Sequence, residues 1–208
     1  GDKLTGSADY QASILFPRAG LAEPVPLQIA INSNLQGIEI NLPMPLTKAS
    51  DEERPLRAII EFPGPDHIAS NGSLGNDIKW SLGFRKDGDA WDFDRGTLTA
   101  GGGYPDLPKT RGMHIQGQTY EIRLDEWLNI AKNQGDSTGM GSRIRSIDMT
   151  IENLHLFGQH LLDHRIVVDR SAAEWLVEVD GPQAVGSVTI PYDLPGDRPI
   201  VLDMERLI

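Results

Sequence analysis

Leu27-Gln28-Ile29-Ala30-Ile31-Asn32-Ser33-Asn34-Leu35-Gln36-Gly37-Ile38-Glu39-Ile40-Asn41-Leu42-Pro43 is the stretch that decides the fold. Leu27, Ile29 and Ile31 alternate with Gln28, Ala30 and Asn32. Ile38, Ile40 and Leu42 then alternate with Glu39 and Asn41. A period of two is the pattern of a strand with one apolar face. The apolar parity changes from odd to even across Leu35-Gln36-Gly37. A one-residue slip turns every side chain over, so a β-bulge or bend is expected at Gly37. Pro43 and Pro45 end the run.

The same pattern recurs outward in both directions along the chain. Leu56, Ala58, Ile60 and Phe62 form a run closed by Pro63-Gly64-Pro65. Ile78, Trp80, Leu82 and Phe84 form another, followed by Asp87-Gly88 and then Trp91 and Phe93. An Asp-Gly pair between alternating runs predicts a hairpin. Gly96 to Ala100 reads as a strand entering a bend at Gly101-Gly102-Gly103, and Met113, Ile115, Tyr120 and Ile122 as two short strands. Beyond these, Ile147, Met149 and Ile151 share one face, with Leu154 and Leu156 in shifted parity. Further strands are expected at Ile166 and Val168, at Trp175 to Val179, at Val188 and Ile190, and at Ile200 to Met204.

One helix is predicted, over Leu124 to Lys132. Leu124, Trp127, Leu128 and Ala131 sit at i, i+3, i+4 and i+7, with Asp125 as N-cap and Gly135 just past the end. The fold expected is therefore mostly β: a curved, largely antiparallel sheet with one short amphipathic helix. Two closures of the apolar face stay open, an exposed groove or a sandwich. No βαβ alternation is read, which argues against a parallel doubly wound sheet. Residues 1–208 are taken as one module, with the Gly-rich loop 135–142 as a candidate sub-boundary.

Composition narrows the function classes. The chain has 208 residues, no Cys and a net charge of −11. That excludes disulfides and Cys-based metal sites, and it argues against nucleic acid, whose phosphates need clustered Lys and Arg. No apolar run approaches the roughly 18 residues of a membrane-spanning helix. No signal peptide is visible in the polar start, Gly1-Asp2-Lys3, and its leading Gly leads us to expect a piece of a longer protein.

Candidate chemistry is sparse. Asp87, Asp89, Asp92 and Asp94 lack the spacing of a calcium loop and read as a solvent-facing hairpin. His155, His160 and His164 fall close together but off any helix, and read as surface histidines rather than zinc ligands. Gly135 to Gly141 has neither the Lys-Ser/Thr nor the strand–loop–helix context of a phosphate loop. There is no Gly-x-Ser-x-Gly elbow. Asp125 and Glu126 read as helix N-terminal residues. Trp80, Trp91, Trp127 and Trp175 read as core aromatics in preference to a sugar platform. No catalytic residue, metal site or cofactor is assigned, and the chain is expected not to be an enzyme.

Ser33 to Ala49, followed by Arg54-Pro55-Leu56, resembles the S-x-L-x-G … L-P-x-P-hydrophobic-x-K segment of the YhdP branch of the AsmA-like proteins. Arg95-Gly96-Thr97-Leu98, the Gly101 to Gly103 bend, Pro105 to Pro108, the Leu124-Asp125-Glu126-Trp127 helix start and the strands from Ile147 to Val177 follow in that family's order. The resemblance implies a periplasmic region of a long protein of Gram-negative bacteria, anchored in the inner membrane. It also implies a role in phospholipid transport between the inner and outer membranes and in outer-membrane integrity. On that view Leu27, Ile29, Ile31, Ile147, Met149 and Ile151 are the candidate lipid-facing residues, and phospholipid is the expected partner. Two alternatives stand beside it: a non-catalytic envelope interaction scaffold, and a carbohydrate-binding β-sandwich. Edge-to-edge self-association is expected of a sheet cut from a longer one.

Overall fold

The computed structural model describes residues 3–17, 25–133, 143–156, 158–192 and 199–208. Its elements in chain order are β1 (Leu4–Gly6), β2 (Gln11–Leu15), β3 (Leu27–Ser33), β4 (Ile38–Ile40), β5 (Leu56–Gly64), β6 (His67–Leu74), β7 (Ile78–Asp87) and β8 (Ala90–Ala100). They continue with β9 (Gly112–Arg123), α1 (Leu124–Asn133), β10 (Ile144–Leu156), β11 (Gln159–Arg170), β12 (Glu174–Asp180), β13 (Ala184–Pro191) and β14 (Val201–Leu207). The protein is mostly β with one short helix. The chain divides into two compact units: Gly1–Leu42 with Leu46–Gly112, and Pro43–Pro45 with Met113–Ile208. The Gly-rich loop 135–142 lies outside the described residues.

In the first unit, β2-β3-β5-β6-β7-β8 form an antiparallel ladder in that order, and β1 pairs with β4 in a separate two-stranded sheet. The predicted hairpin is present: Asp87 pairs with Ala90 across Gly88-Asp89, and Gly88 takes a φ of 61° that suits glycine. The break at Gly37 is a turn between two sheets, not a bulge within one strand. β3 ends at Ser33, Leu35 and Gly37 both have positive φ (55° and 94°), and β4 joins β1. A Cβ on Gly37 would strike the Ser7 carbonyl oxygen, so only glycine fits.

The motif around that turn is a structural staple. The Ser33 hydroxyl donates to the Asp9 carbonyl at 2.7 Å and accepts from Leu35 N–H at 3.0 Å. Lys48, 2% exposed, donates its ammonium to the carbonyls of Ile38 (2.7 Å) and Ala49 (2.8 Å). Arg54, also buried, reaches Asp77 at 3.1 Å. Buried cations persist only when hydrogen-bonded; Lys48 closes the 34–54 segment on itself, and Arg54 ties it to Asp77, just ahead of β7.

In the second unit the ladder runs β9-β10-β11-β12-β13-β14. Its pairs are antiparallel apart from β9 and β10, which run parallel. Parallel neighbours need a crossover, and α1 lies within it, packed on β10. This corrects the reading that no βαβ unit exists; a single crossover leaves no repeating βαβ pattern to detect. Met113 to Ile122 is likewise one continuous strand, not two. Asp125 is not the N-cap, because the helix already includes Leu124; Asp125 and Glu126 lie in its first turn, where the helix dipole favours acids. The Trp127 indole N–H donates to the Met44 carbonyl at 3.0 Å and so holds the Pro43–Pro45 segment in this unit.

Candidate functional site

Register, not sequence proximity, assembles the candidate surface. Residues directly opposite in a ladder point to the same face. In the first unit Ile14 is opposite Ile29, and Leu27, Ile29 and Ile31 are opposite Phe62, Ile60 and Ala58. Continuing, Leu74, Ser70 and Ile68 pair with Ile78, Leu82 and Phe84, and Trp80 with Leu98. These residues make one apolar face across six strands. Ile78 (3% exposed) and Ala100 (6%) are enclosed on it, whereas Leu27, Ile29, Ile31, Ile60, Phe62, Leu82 and Phe84 are only half-buried.

The opposite face is mainly polar, carrying Gln28, Asn32, Arg57, Glu61, Asn71, Lys79 and Arg95, with Ile59 exposed among them. Residues 101–111 strap across its β7–β8 end. Arg95 donates to the Lys109 carbonyl at 3.0 Å, and the Lys79 ammonium sits 4.3 Å from the Tyr104 ring centre. Ser81, Thr97 and Thr99 are buried on this face. Asp94 departs from the solvent-facing reading of the Asp run: its side chain is 10% exposed and contacts Arg95 (2.7 Å) and Arg111 (2.9 Å). Burial alone would raise its pKa, but the Arg95 hydrogen bond and the charges of Arg95, Arg85 and Arg111 outweigh that and hold the carboxyl below its ordinary value.

The second unit repeats the arrangement. Ile147 is opposite Ile115 and Val168, Met149 opposite Gly117 and Ile166, and Ile151 opposite Thr119 and His164. Val168 and Ile166 pair in turn with Val177 and Val179, and Val177 with Val188. Ile147 is half-buried, but Met149 (4%) and Ile151 (3%) are sealed. The other face carries Asp148, whose carboxylate takes two hydrogen bonds from Arg165 at 2.8 and 2.7 Å. That hydrogen bonding, opposed by partial burial and helped by the Arg165 charge, lowers the Asp148 pKa. The candidate residues thus fall into two groups of three, one on the apolar face of each unit.

His164 overturns the surface reading of the three histidines. It is fully buried, accepts the Ala184 N–H at Nε2 (3.1 Å) and so donates from Nδ1 to the Leu162 carbonyl (2.9 Å). Those partners specify the neutral ring. Its parity with Ile166 and Val168 was the signal in the sequence that placed it on the apolar face. His155 and His160 do meet: they are cross-strand partners with rings stacked at 4.5 Å, bonded to Glu121 (3.4 Å) and Asn153 (2.9 Å) respectively. Among the described residues no group of three or more His, Asp or Glu is placed to hold a metal. The Trp residues do not pair with one another: Trp80 donates to the Ser70 hydroxyl at 3.2 Å, and Trp175 packs edge-on to Tyr192.

A family model described as YhdP protein matches residues 1–208. The chain belongs to the YhdP family. No curated protein and no solved structure matches the chain. YhdP proteins are bacterial envelope proteins, and no described helix of this member is long and apolar enough to cross a membrane. The family motif read in the sequence coincides with the Ser33–Gly37 turn, the buried Lys48 and the Arg54–Asp77 pair, so the resemblance rests on residues that build the scaffold.

Proposed function

We propose that this YhdP-family chain is a non-enzymatic, periplasmic segment of an inner-membrane-anchored protein of a Gram-negative bacterium, and that its apolar sheet faces bear phospholipid acyl chains on their way between the inner and outer membranes. The observation that supports this reading is that each unit's ladder has one face predominantly apolar from strand to strand and a reverse face where polar residues predominate, with Ile59, Val167 and Leu176 as exceptions. Sealed sandwiches enclose such side chains, whereas here most of them are half-buried. Acyl burial against them returns about 0.8 kcal/mol per methylene, enough to hold a chain with no specific headgroup site. A second reading, a non-catalytic envelope scaffold, is favoured locally by the enclosure of Met149 and Ile151.

A photo-crosslinking residue distinguishes them. Placed at Ile29 or Ile147 it captures phospholipid in cells; placed at Gln28 or Thr150, on the opposite faces, it does not. Capture of protein alone at Ile29 and Ile147 rejects the lipid reading in favour of the scaffold.

A further inference from the structure

Two glycines stand on the apolar face of the first unit where the strand pattern calls for a side chain. Gly72 in β6 is directly opposite Trp80 in β7, and Gly96 in β8 is directly opposite Leu82. Neither has a positive φ, so neither is there for backbone freedom. Glycine inside a strand weakens it, and marks places where another group approaches the backbone closely. Here that group is a neighbour's side chain. A Cβ on Gly72 would collide with Cζ2 and Cε2 of the Trp80 indole, and a Cβ on Gly96 with Cδ2 of Leu82.

Side chains on a sheet ordinarily stand roughly perpendicular to it. The Trp80 ring instead lies down across β6. Its edge covers Gly72, and its N–H donates to the Ser70 hydroxyl at 3.2 Å. Ala58, the partner of Gly72 on β5, is also small. The face is therefore low over Ala58 and Gly72 and floored by a recumbent ring, with the taller Ile60 and Leu74 beside it. Trp80 is half-buried, so this floor is not closed over. The indole spends its one polar group on Ser70, and the ring itself offers an occupant only apolar surface.

We propose that this low section is the seat of a single acyl chain, with Trp80 as its floor, and that Trp80 and Ala58 join Leu27, Ile29 and Ile31 as lipid-contacting residues of the first unit. The inference rests on the phospholipid reading above and gives one chain a place in it. A glycine under an indole serves a sealed core no better than two interlocking side chains, and it weakens the strand; what it gains is clearance above β6.

The test uses the full-length protein in cells. A photo-crosslinking residue in place of Trp80 is expected to capture phospholipid, and one in place of Lys79, on the reverse face, is not. Ala58→Leu fills the low ground and is expected to abolish capture at position 80 while leaving capture at Ile147, in the second unit, unchanged. With the purified protein, phospholipid brominated along its acyl chains is expected to quench tryptophan emission, and Trp80→Phe to lessen that quenching. This measurement decides the matter should the substitution at position 80 disturb the fold or Ala58→Leu silence both units. Lipid captured at Ile29 but not at position 80 overturns the seat and leaves the phospholipid reading standing. No lipid at Ile29, Ile147 or position 80 overturns both. Capture at position 80 that survives Ala58→Leu, or quenching that survives Trp80→Phe undiminished, also overturns the seat.

Discussion

β3 and β10 carry the same pattern and end in different environments. Leu27, Ile29 and Ile31 in β3 are all half-buried, while Met149 and Ile151 in β10 are nearly closed to solvent. Both strands place their apolar residues on one face opposite apolar partners. Alternation therefore specifies which face a side chain joins and not how deeply that face is covered. In the second unit the enclosed positions cluster around His164 and Ala184, and the face opens again at Ile147 and Val168. Of the six candidate residues, Leu27, Ile29, Ile31 and Ile147 keep some access to water, whereas Met149 and Ile151 are buried.

The largest effect that breaks or sharpens this comparison is a charge placed at each site. Met149→Asp buries an unpaired carboxylate and is expected to unfold the second unit. Ile29→Asp, whose side chain keeps some access to water, is expected to cost about 1–3 kcal/mol. Urea denaturation followed by circular dichroism reads both. Equal costs would erase the distinction between a sealed and an open face.

The second comparison sits beside His164. A Cβ on Gly181 would run into the His164 ring, which is itself held on two sides by hydrogen bonds. Gly181→Ala is expected to cost about 1–3 kcal/mol by overpacking. Gly64→Ala, where nothing lies within 4 Å, is expected to change stability little. Matching denaturation midpoints for the two variants would show that the sealed region repacks freely.

The smallest effect belongs to the polar faces. Asp148 has a lowered pKa in the folded protein, so the stability it contributes is fully present above the ordinary carboxylate value of about 3.9 and is lost as pH falls through its lowered folded value. Asp94 acts with the same sign. Urea midpoints measured from pH 6 downward are expected to fall in this window, and Asp148→Asn to flatten part of the drop. A midpoint that rises on acidification contradicts the Arg165 pairing.

Much of this was legible in residues alone. The β3, β5, β7 and β12 alternations, the Asp87-Gly88 turn and the Leu124-to-Trp127 helix start all survive in the structure, because each is a local matter of backbone geometry and side-chain period. The parallel β9–β10 pair was not legible, since strand direction depends on where a crossover lands. Nor was the burial of His164, which reads as polar by type and apolar by parity.

By itself the sequence determined the strand class, the turn positions, the family motif and the division of each strand into apolar and polar residues. Those follow from a two-residue period and from glycines that alone tolerate positive φ, as at Gly37 and Gly88. Tertiary structure decided which apolar residues face one another, which of them lose contact with water, and where Lys48, Arg54 and Asp94 find partners. Those outcomes depend on register and on what lies above each face, which bring together residues as far apart as Arg54 and Asp77, or Leu27 and Phe62, and they close local pairs such as Asp94 with Arg95.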